Sequence, residues 1–419
     1  MKTRIISILV AVLGMLARHT QAQIYDTNGV FVETFAGYGL SGHIDGMGAM
    51  TMFNDPQFII ADSHVNLFVL DAGNSCIRKI APDGSVTTFA GGGTQITGVG
   101  TNVALPGLGG YGGMTIDHND TIWIIAFSPT VNLYRIDNNA NVTLTTLPLQ
   151  FPTGICADSH GNLYISDENK SIIYRYDTNK VLAVFAGSGN QSYADGKGIF
   201  TAFYFPSILT SDSANNIYVW DSGNSLIRRI DQNQNVTTFA GQYQDVYPVT
   251  DGIATNAILH NVSGMCFDKL GNLIFADSAV ITGSSVRSIS ATGNISTIAG
   301  SFMQNAYTNG NGNLARFNEA SGVCASGGTI YVADSGNQRI RSITSNPAAQ
   351  PVSPANLQLN TYSGLQISGS VGRTYQVQSS PDMNTWTTEI TFVLNSTPYL
   401  WIDQSPIAGN KFYRAILLP

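Results

Sequence analysis

Three side chains in this sequence form a set that could do chemistry if the fold brought them together: Asp55, His260 and Glu319. Each lies one or two residues after an apolar residue and just ahead of a short β-prone run, in Phe53-Asn54-Asp55, Leu259-His260-Asn261 and Phe317-Asn318-Glu319. An imidazole with two carboxylates can hold a divalent metal, or can serve as a general acid and base. The sequence offers no other catalytic pattern. It has no His-x-Glu-x-x-His zinc motif and no Gly-x-Ser-x-Gly nucleophile elbow, and Gly91-Gly92-Gly93 lacks the Lys of a phosphate cradle. The simpler expectation is that the three are solvated polar residues where strands begin.

A second group of charged residues recurs too regularly to be catalytic. Asp71, Asp221, Asp277 and Asp334 are each followed by an arginine, respectively Arg78, Arg228, Arg287 and Arg341. A catalytic group is needed once, so the repetition predicts a structural Asp and Arg pair bridging strands. In one related segment both partners are gone together, with Ala126 and Tyr134 in their places, while Asp167 faces Tyr174 as an exception. The Asp-Gly pairs at Asp45, Asp195 and Asp251 read as turn chemistry and lack the oxygen-rich spacing of a calcium loop.

The elements that must position these residues form an internal repeat. Asn66 to Gly91, NLFVLDAGNSCIRKIAPDGSVTTFAG, returns from Asn216 to Gly241 as NIYVWDSGNSLIRRIDQNQNVTTFAG. Weaker copies begin at Asn162, Asn272 and Thr329, and the most degenerate runs from Thr121 to Leu147, giving six copies. The spacing and the short β-rich runs in each copy predict propeller blades of four strands rather than helical units. Tyr331-Val332-Ala333-Asp334-Ser335-Gly336-Asn337 with Ile340-Arg341, together with the Asp-x-x-Gly-Asn turns and closing Ala-Gly, resembles the NHL repeat family. The resemblance covers about 31–343 and implies a six-bladed β-propeller; by itself it leaves function open, because the family includes scaffolds, binding modules and enzymes. Some enzymes of the wider superfamily hold a metal at the centre of one face, the role for which Asp55, His260 and Glu319 are the candidates.

The last copy stops at Ile343 without its closing strand, and Val30 to Gly37, VFVETFAG, reads as that missing strand. The N-terminal segment is therefore expected to complete the sixth blade, leaving no open sheet edge. Residues 1–22, with Lys2 and Arg4 ahead of an apolar run and Thr20-Gln21-Ala22, read as a secretory signal peptide. The propeller is expected over 23–343 and a Pro- and Ser-rich linker over 344–356. A small β-sandwich-like domain over 357–419 resembles C-terminal modules of exported bacterial proteins, through Tyr375 to Ser380 and Phe412-Tyr413-Arg414. There Trp386, Tyr399 and Trp401 are expected in the core rather than as an exposed sugar platform.

The formal net charge of -7, with no basic run, argues against nucleic acid as a partner, and no second apolar stretch is long enough to span a membrane. Cys156, Cys266 and Cys324 stand at matching positions and read as small buried hydrophobes rather than a disulfide framework. The sequence thus predicts an exported, non-catalytic propeller that binds a protein, peptide or glycan through one face. The alternative is a lyase or lactone hydrolase with a divalent metal at the mouth.

Overall fold

A computed structural model describes residues 27, 29–106, 112–127, 129–242, 250–279, 283–302, 304–345, 356–360, 364–395, 399–402 and 412–418. The expected signal peptide, and all of the expected linker apart from 344, 345 and 356, lie outside these residues. The chain divides into two compact units, 1–344 and 345–419. The first is a ring of six antiparallel sheets, the second a pair of three-stranded sheets.

Each blade begins with an inner strand and steps outward. The inner strands are Pro56–Ala61, Gly112–Ile116, Pro152–Ala157, Pro206–Ser211, Val262–Phe267 and Ala320–Ser326. Each packs against the next, and the last packs against the first. Three positions in these strands, Gly154, Gly264 and Gly322, must be glycine for that approach; a Cβ on Gly322, for example, would stand 2.7 Å from the carbonyl oxygen of Gln57 in the neighbouring blade. This explains the glycine of Pro152-Thr153-Gly154-Ile155 and its counterparts Gly264 and Gly322. Six clusters of buried apolar side chains fill the six interfaces between neighbouring blades. The ring is therefore held by one continuous series of interfaces, with burial as the main driving force.

The sixth sheet is built from both ends of the propeller. Val30–Ala36 lies between Arg339–Ser345 and the short strand Gly310–Asn311, pairing Phe31 with Asn311. The segment at the N-terminus thus closes the ring, with Val30, Val32 and Ala36 buried. Blades carry more than the four expected strands: five of the six sheets have a fifth, two-residue strand on the outer edge, such as Gly46–Met47 or Gly196–Lys197. The degenerate segment forms a regular five-stranded sheet, and the four-stranded one is the third.

The repeated turn is explained by side-chain hydrogen bonds. Asp62 Oδ1 accepts the backbone N–H groups of His64 and Asn66, while Oδ2 accepts Asn66 Nδ2. Asp158, Asp212 and Asp268 repeat the arrangement with Asn162, Asn216 and Asn272. These are Asx turns that close the first hairpin of a blade.

The charged repeat residues form a buried clamp. Arg78 Nη1 donates to Asp71 Oδ2 at 2.8 Å and to the Met52 carbonyl, while Nη2 donates to Asp45 and the Ile44 carbonyl. Arg228 does the same with Asp221 and Asp195, and Arg287 with Asp277 and Asp251. Arg341 takes Asp334 and, in place of the second carboxylate, Asn309. All four guanidinium groups are fully buried and lie over an aromatic ring, Phe53, Phe203, Phe275 or Phe317. The inner carboxylate also ties down the entry to the inner strand, since Asp71 accepts Asn54 N–H and Asp221 accepts Tyr204 N–H. Burial pushes the Asp71, Asp221 and Asp334 carboxyls above the ordinary range against the opposing pull of arginine and hydrogen bonds.

The Asp-Gly carboxylates are therefore not only turn formers. Asp45, Asp195 and Asp251 are the outer jaws of the clamp, and Asp45 and Asp251 also accept the backbone N–H of Thr88 and Thr297. Where the arginine is missing the charge is managed otherwise. Blade two replaces the pair with buried Ala126 and Tyr134, and blade three caps buried Asp167 with the N–H groups of Gln150 and Phe151.

In the second unit, Leu365, Ile367 and Val377 form a core joined by Phe392, Tyr399, Trp401 and Tyr413. Tyr399 stacks on Phe392 with ring centroids 4.6 Å apart, and Arg414 covers Trp386 at 4.2 Å.

Removing one partner of a buried ion pair leaves the other uncompensated, at a cost of about 3–5 kcal/mol. Arg228→Ala is expected to lower the unfolding free energy in urea by about that amount. The double change Asp221→Ala with Arg228→Tyr, which installs the blade-two solution, should lose less than half as much. Equal losses in the two variants would refute the clamp.

Candidate functional site: the central channel and its mouths

The inner strands enclose a cavity of about 250 Å³ on the propeller axis, lined by residues from all six blades. The cavity lies toward the strand ends that lead into the first hairpin turns, with Ala61, Ile116, Ala157, Ser211, Phe267 and Ala325 among its lining. Its chemistry is plain. The lining contains apolar side chains such as Phe58, Ile60 and Met114, the hydroxyls of Thr115, Thr210 and Ser211, and the thiols of Cys156, Cys266 and Cys324. No carboxylate, imidazole, amine or guanidinium is among the lining residues.

The thiols do not supply a nucleophile. All four cysteines are unpaired. Burial pushes the Cys266 thiol up to about 12 and raises those of Cys156 and Cys324 as well. A thiolate is the reactive form, so these groups are inert near neutrality. They pack as apolar side chains, Cys156 between blades three and four and Cys324 between blades six and one.

Hydroxyl groups near the inner-strand entries are spent on holding blades together. Ser263 Oγ donates to the Ala320 carbonyl at 2.7 Å, and Ser321 Oγ to the Pro56 carbonyl at 3.2 Å, each reaching into the next blade. Thr153 reaches the Pro206 carbonyl in the same way.

The three candidate ligands sit where the inner strands begin, at the end opposite the hairpin turns. Asp55 and Glu319 occupy equivalent left-handed backbone positions, with φ of 55° and 54°. Asp55 is engaged locally: its N–H donates to Gln338 Oε1, and its Oδ2 accepts Gln57 Nε2 at 2.8 Å. Glu319 is exposed, and His260 is half-buried with its N–H donating to Asp277 Oδ1 at 3.1 Å. Among the described residues no group of three or more His, Cys, Asp or Glu side chains is placed to hold a metal ion. The structure therefore puts Asp55, His260 and Glu319 at one end of the ring without assembling them into a metal centre.

His64, His118 and His160 fall in or beside the first hairpin turns. The sequence reading missed the outer clamp carboxylates Asp45, Asp195 and Asp251, and the signal that locates them is the Asp-Gly pair that recurs upstream of the inner strands of blades one, four and five.

A thiol reagent such as Ellman's is expected to leave the buried Cys76, Cys156 and Cys324 unmodified in the native protein at pH 8, and to titrate all four cysteines after denaturation. Rapid labelling of Cys156 or Cys324 in the native state would contradict the burial described.

Comparison with known proteins agrees with this architecture. The Teneurin NHL domain description matches residues 138–344. NHL repeat-containing protein 2 of Homo sapiens is 26% identical over 324 residues, covering 72% of this chain and 40% of that protein. Teneurin-3 of Mus musculus is 26% identical over 224 residues, covering 47% of this chain and 8% of that protein. The chain thus spans about two fifths of the length of the NHL repeat-containing relatives it matches. A solved structure of unknown function from Bacteroides thetaiotaomicron has a TM-score of 0.59 at 20% identity, with 76% of each chain covered. An auxiliary nutrient binding protein from Bacteroides ovatus has a TM-score of 0.58 at 16% identity, covering 76% of this chain and 77% of that one. These last two likenesses bear on the fold alone. With six blades built on the repeat, ring closure by the N-terminal strand and matches over the repeat region, the repeat region of this chain is an NHL-repeat β-propeller.

Proposed function

We propose that this chain is an exported, non-catalytic propeller that binds a protein, peptide or glycan through the face bearing the first hairpin turns. The observation that carries this reading is the channel lining, which offers apolar side chains, hydroxyls and backbone groups but no ionisable group able to move a proton near neutrality. A concave site that combines apolar side chains with hydroxyls and backbone polar groups suits binding. Export rests on the N-terminal sequence, and among the described residues no helix is long and apolar enough to cross a membrane.

The alternative, a metal-dependent lyase or lactone hydrolase, needs Asp55, His260 and Glu319 to converge, and the described geometry does not assemble them. The two readings separate in one experiment. Metal analysis of the purified chain is expected to find no stoichiometric divalent ion, in the native protein and in His260→Ala alike. A stoichiometric ion that is lost in His260→Ala would overturn the non-catalytic reading.

A further inference from the structure

Blade two departs from the repeat in a way that opens a second concave site. In blades one, three, four and six an aromatic ring on the second strand packs on an aromatic ring of the closing strand. The pairs are Phe68 with Phe89, Tyr164 with Phe185, Tyr218 with Phe239 and Tyr331 with Phe35, with centroids 4.8–5.0 Å apart. In blade two the second-strand ring is Trp123, but the closing-strand position is Thr145. The missing ring leaves a cleft of about 410 Å³ between blades two and three, beside their first hairpin turns.

The cleft wall is prepared for a ligand. Asp117 Oδ2 accepts Trp123 Nε1 at 2.9 Å, which fixes the indole ring. Arg135 lies 5.9 Å over that ring and, among the described residues, forms no ion pair. Tyr176 is buried on the opposite wall, and Lys180 stands exposed at its edge. The carboxylates nearby are already engaged by their own turns, Asp117 by the N–H groups of Asn119 and Thr121 and Asp177 by those of Asn179 and Val181. The cleft therefore presents the guanidinium of Arg135, whose charge also acts on Asp137, together with Lys180, an oriented indole, and the exposed hydroxyl-bearing side chain of Thr145.

Resting on the binding reading above, we infer that the cleft between blades two and three binds a carboxylate-bearing sugar of an acidic glycan. The planar guanidinium of Arg135 matches a carboxylate with two parallel hydrogen bonds, a geometry lysine lacks. The half-buried indole of Trp123 offers apolar surface to the C–H face of a pyranose, while hydroxyl-bearing side chains suit its hydroxyl groups. A cleft of this size falls within the usual range of small-ligand sites, roughly 300–1,000 Å³.

The test titrates the full-length mature chain with α-1,4-linked trigalacturonate, reading intrinsic tryptophan fluorescence and heat of binding. Saturable binding is expected, at least tenfold weaker for the methyl-esterified trisaccharide and for Arg135→Gln, and weakened by salt. Thr145→Phe restores the ring found at this position in blades one, three, four and six; it should keep the native thermal midpoint or raise it, and abolish binding. If trigalacturonate does not bind the native chain, the inference falls, whereas the broader reading falls only with a metal-dependent activity. Binding that survives both Arg135→Gln and Thr145→Phe would place the glycan elsewhere, overturning the cleft assignment while sparing the binding reading.

Discussion

The propeller depends on a buried guanidinium group held between two acceptors. In four of the six blades an arginine with no exposed surface joins the end of the second strand to the loop that arrives from the preceding blade. The inner carboxylate then fixes the backbone where the inner strand begins, through Asn54, Tyr204, His260 or Asn318 N–H. One cluster thus sets three things at once: the blade, the entry to the channel, and the outer two-residue strand. Such a pair adds little net stability over an apolar replacement, because desolvation offsets attraction, but a lone member is expensive to keep. That asymmetry fits blade two, which lacks both partners, and blade three, which keeps Asp167 without an arginine only by capping it with two backbone N–H groups.

The same constraint separates structure from function in this chain. Residues that look reactive in the sequence are mostly committed: the repeated Asp and Arg to each other, Ser263 and Ser321 to carbonyl groups of the next blade, and the channel thiols to apolar packing. What is left uncommitted lies where the repeat decays. Blade two has neither clamp nor closing Phe-Ala-Gly, and there Trp123 and Arg135 face a space that other blades fill. A repeat protein can place a unique site only by breaking its symmetry, and this blade is where the break occurs.

Much of this was legible from residue order. The six copies, the exchange of Val30 to Gly37 into the last blade, and the pairing of Asp71 with Arg78 all follow from local pattern, because each is a recurring element or its conspicuous absence. The outer jaw of the clamp was not, since Asp45 lies 33 residues before Arg78 and an Asp-Gly pair has a sufficient local explanation as a turn. Thr145 is readable as a departure from Phe, but the space it leaves is shared with blade three and only exists in three dimensions. Asp55, His260 and Glu319 share a sequence register and one end of the ring, yet register fixes the height of a side chain along the axis and not its convergence with others.

The account rests on arginine side chains locked in place, and nitrogen-15 NMR of arginine-labelled protein observes them directly. Arg78, Arg228, Arg287 and Arg341 should give separate, slowly exchanging Nη–H signals at neutral pH, because their guanidinium groups are buried and bonded on both terminal nitrogens. Arg135 and the surface arginines should show averaged, rapidly exchanging signals. If the four clamp arginines exchange as fast as those, the buried clamp does not exist and the account of the fold fails with it.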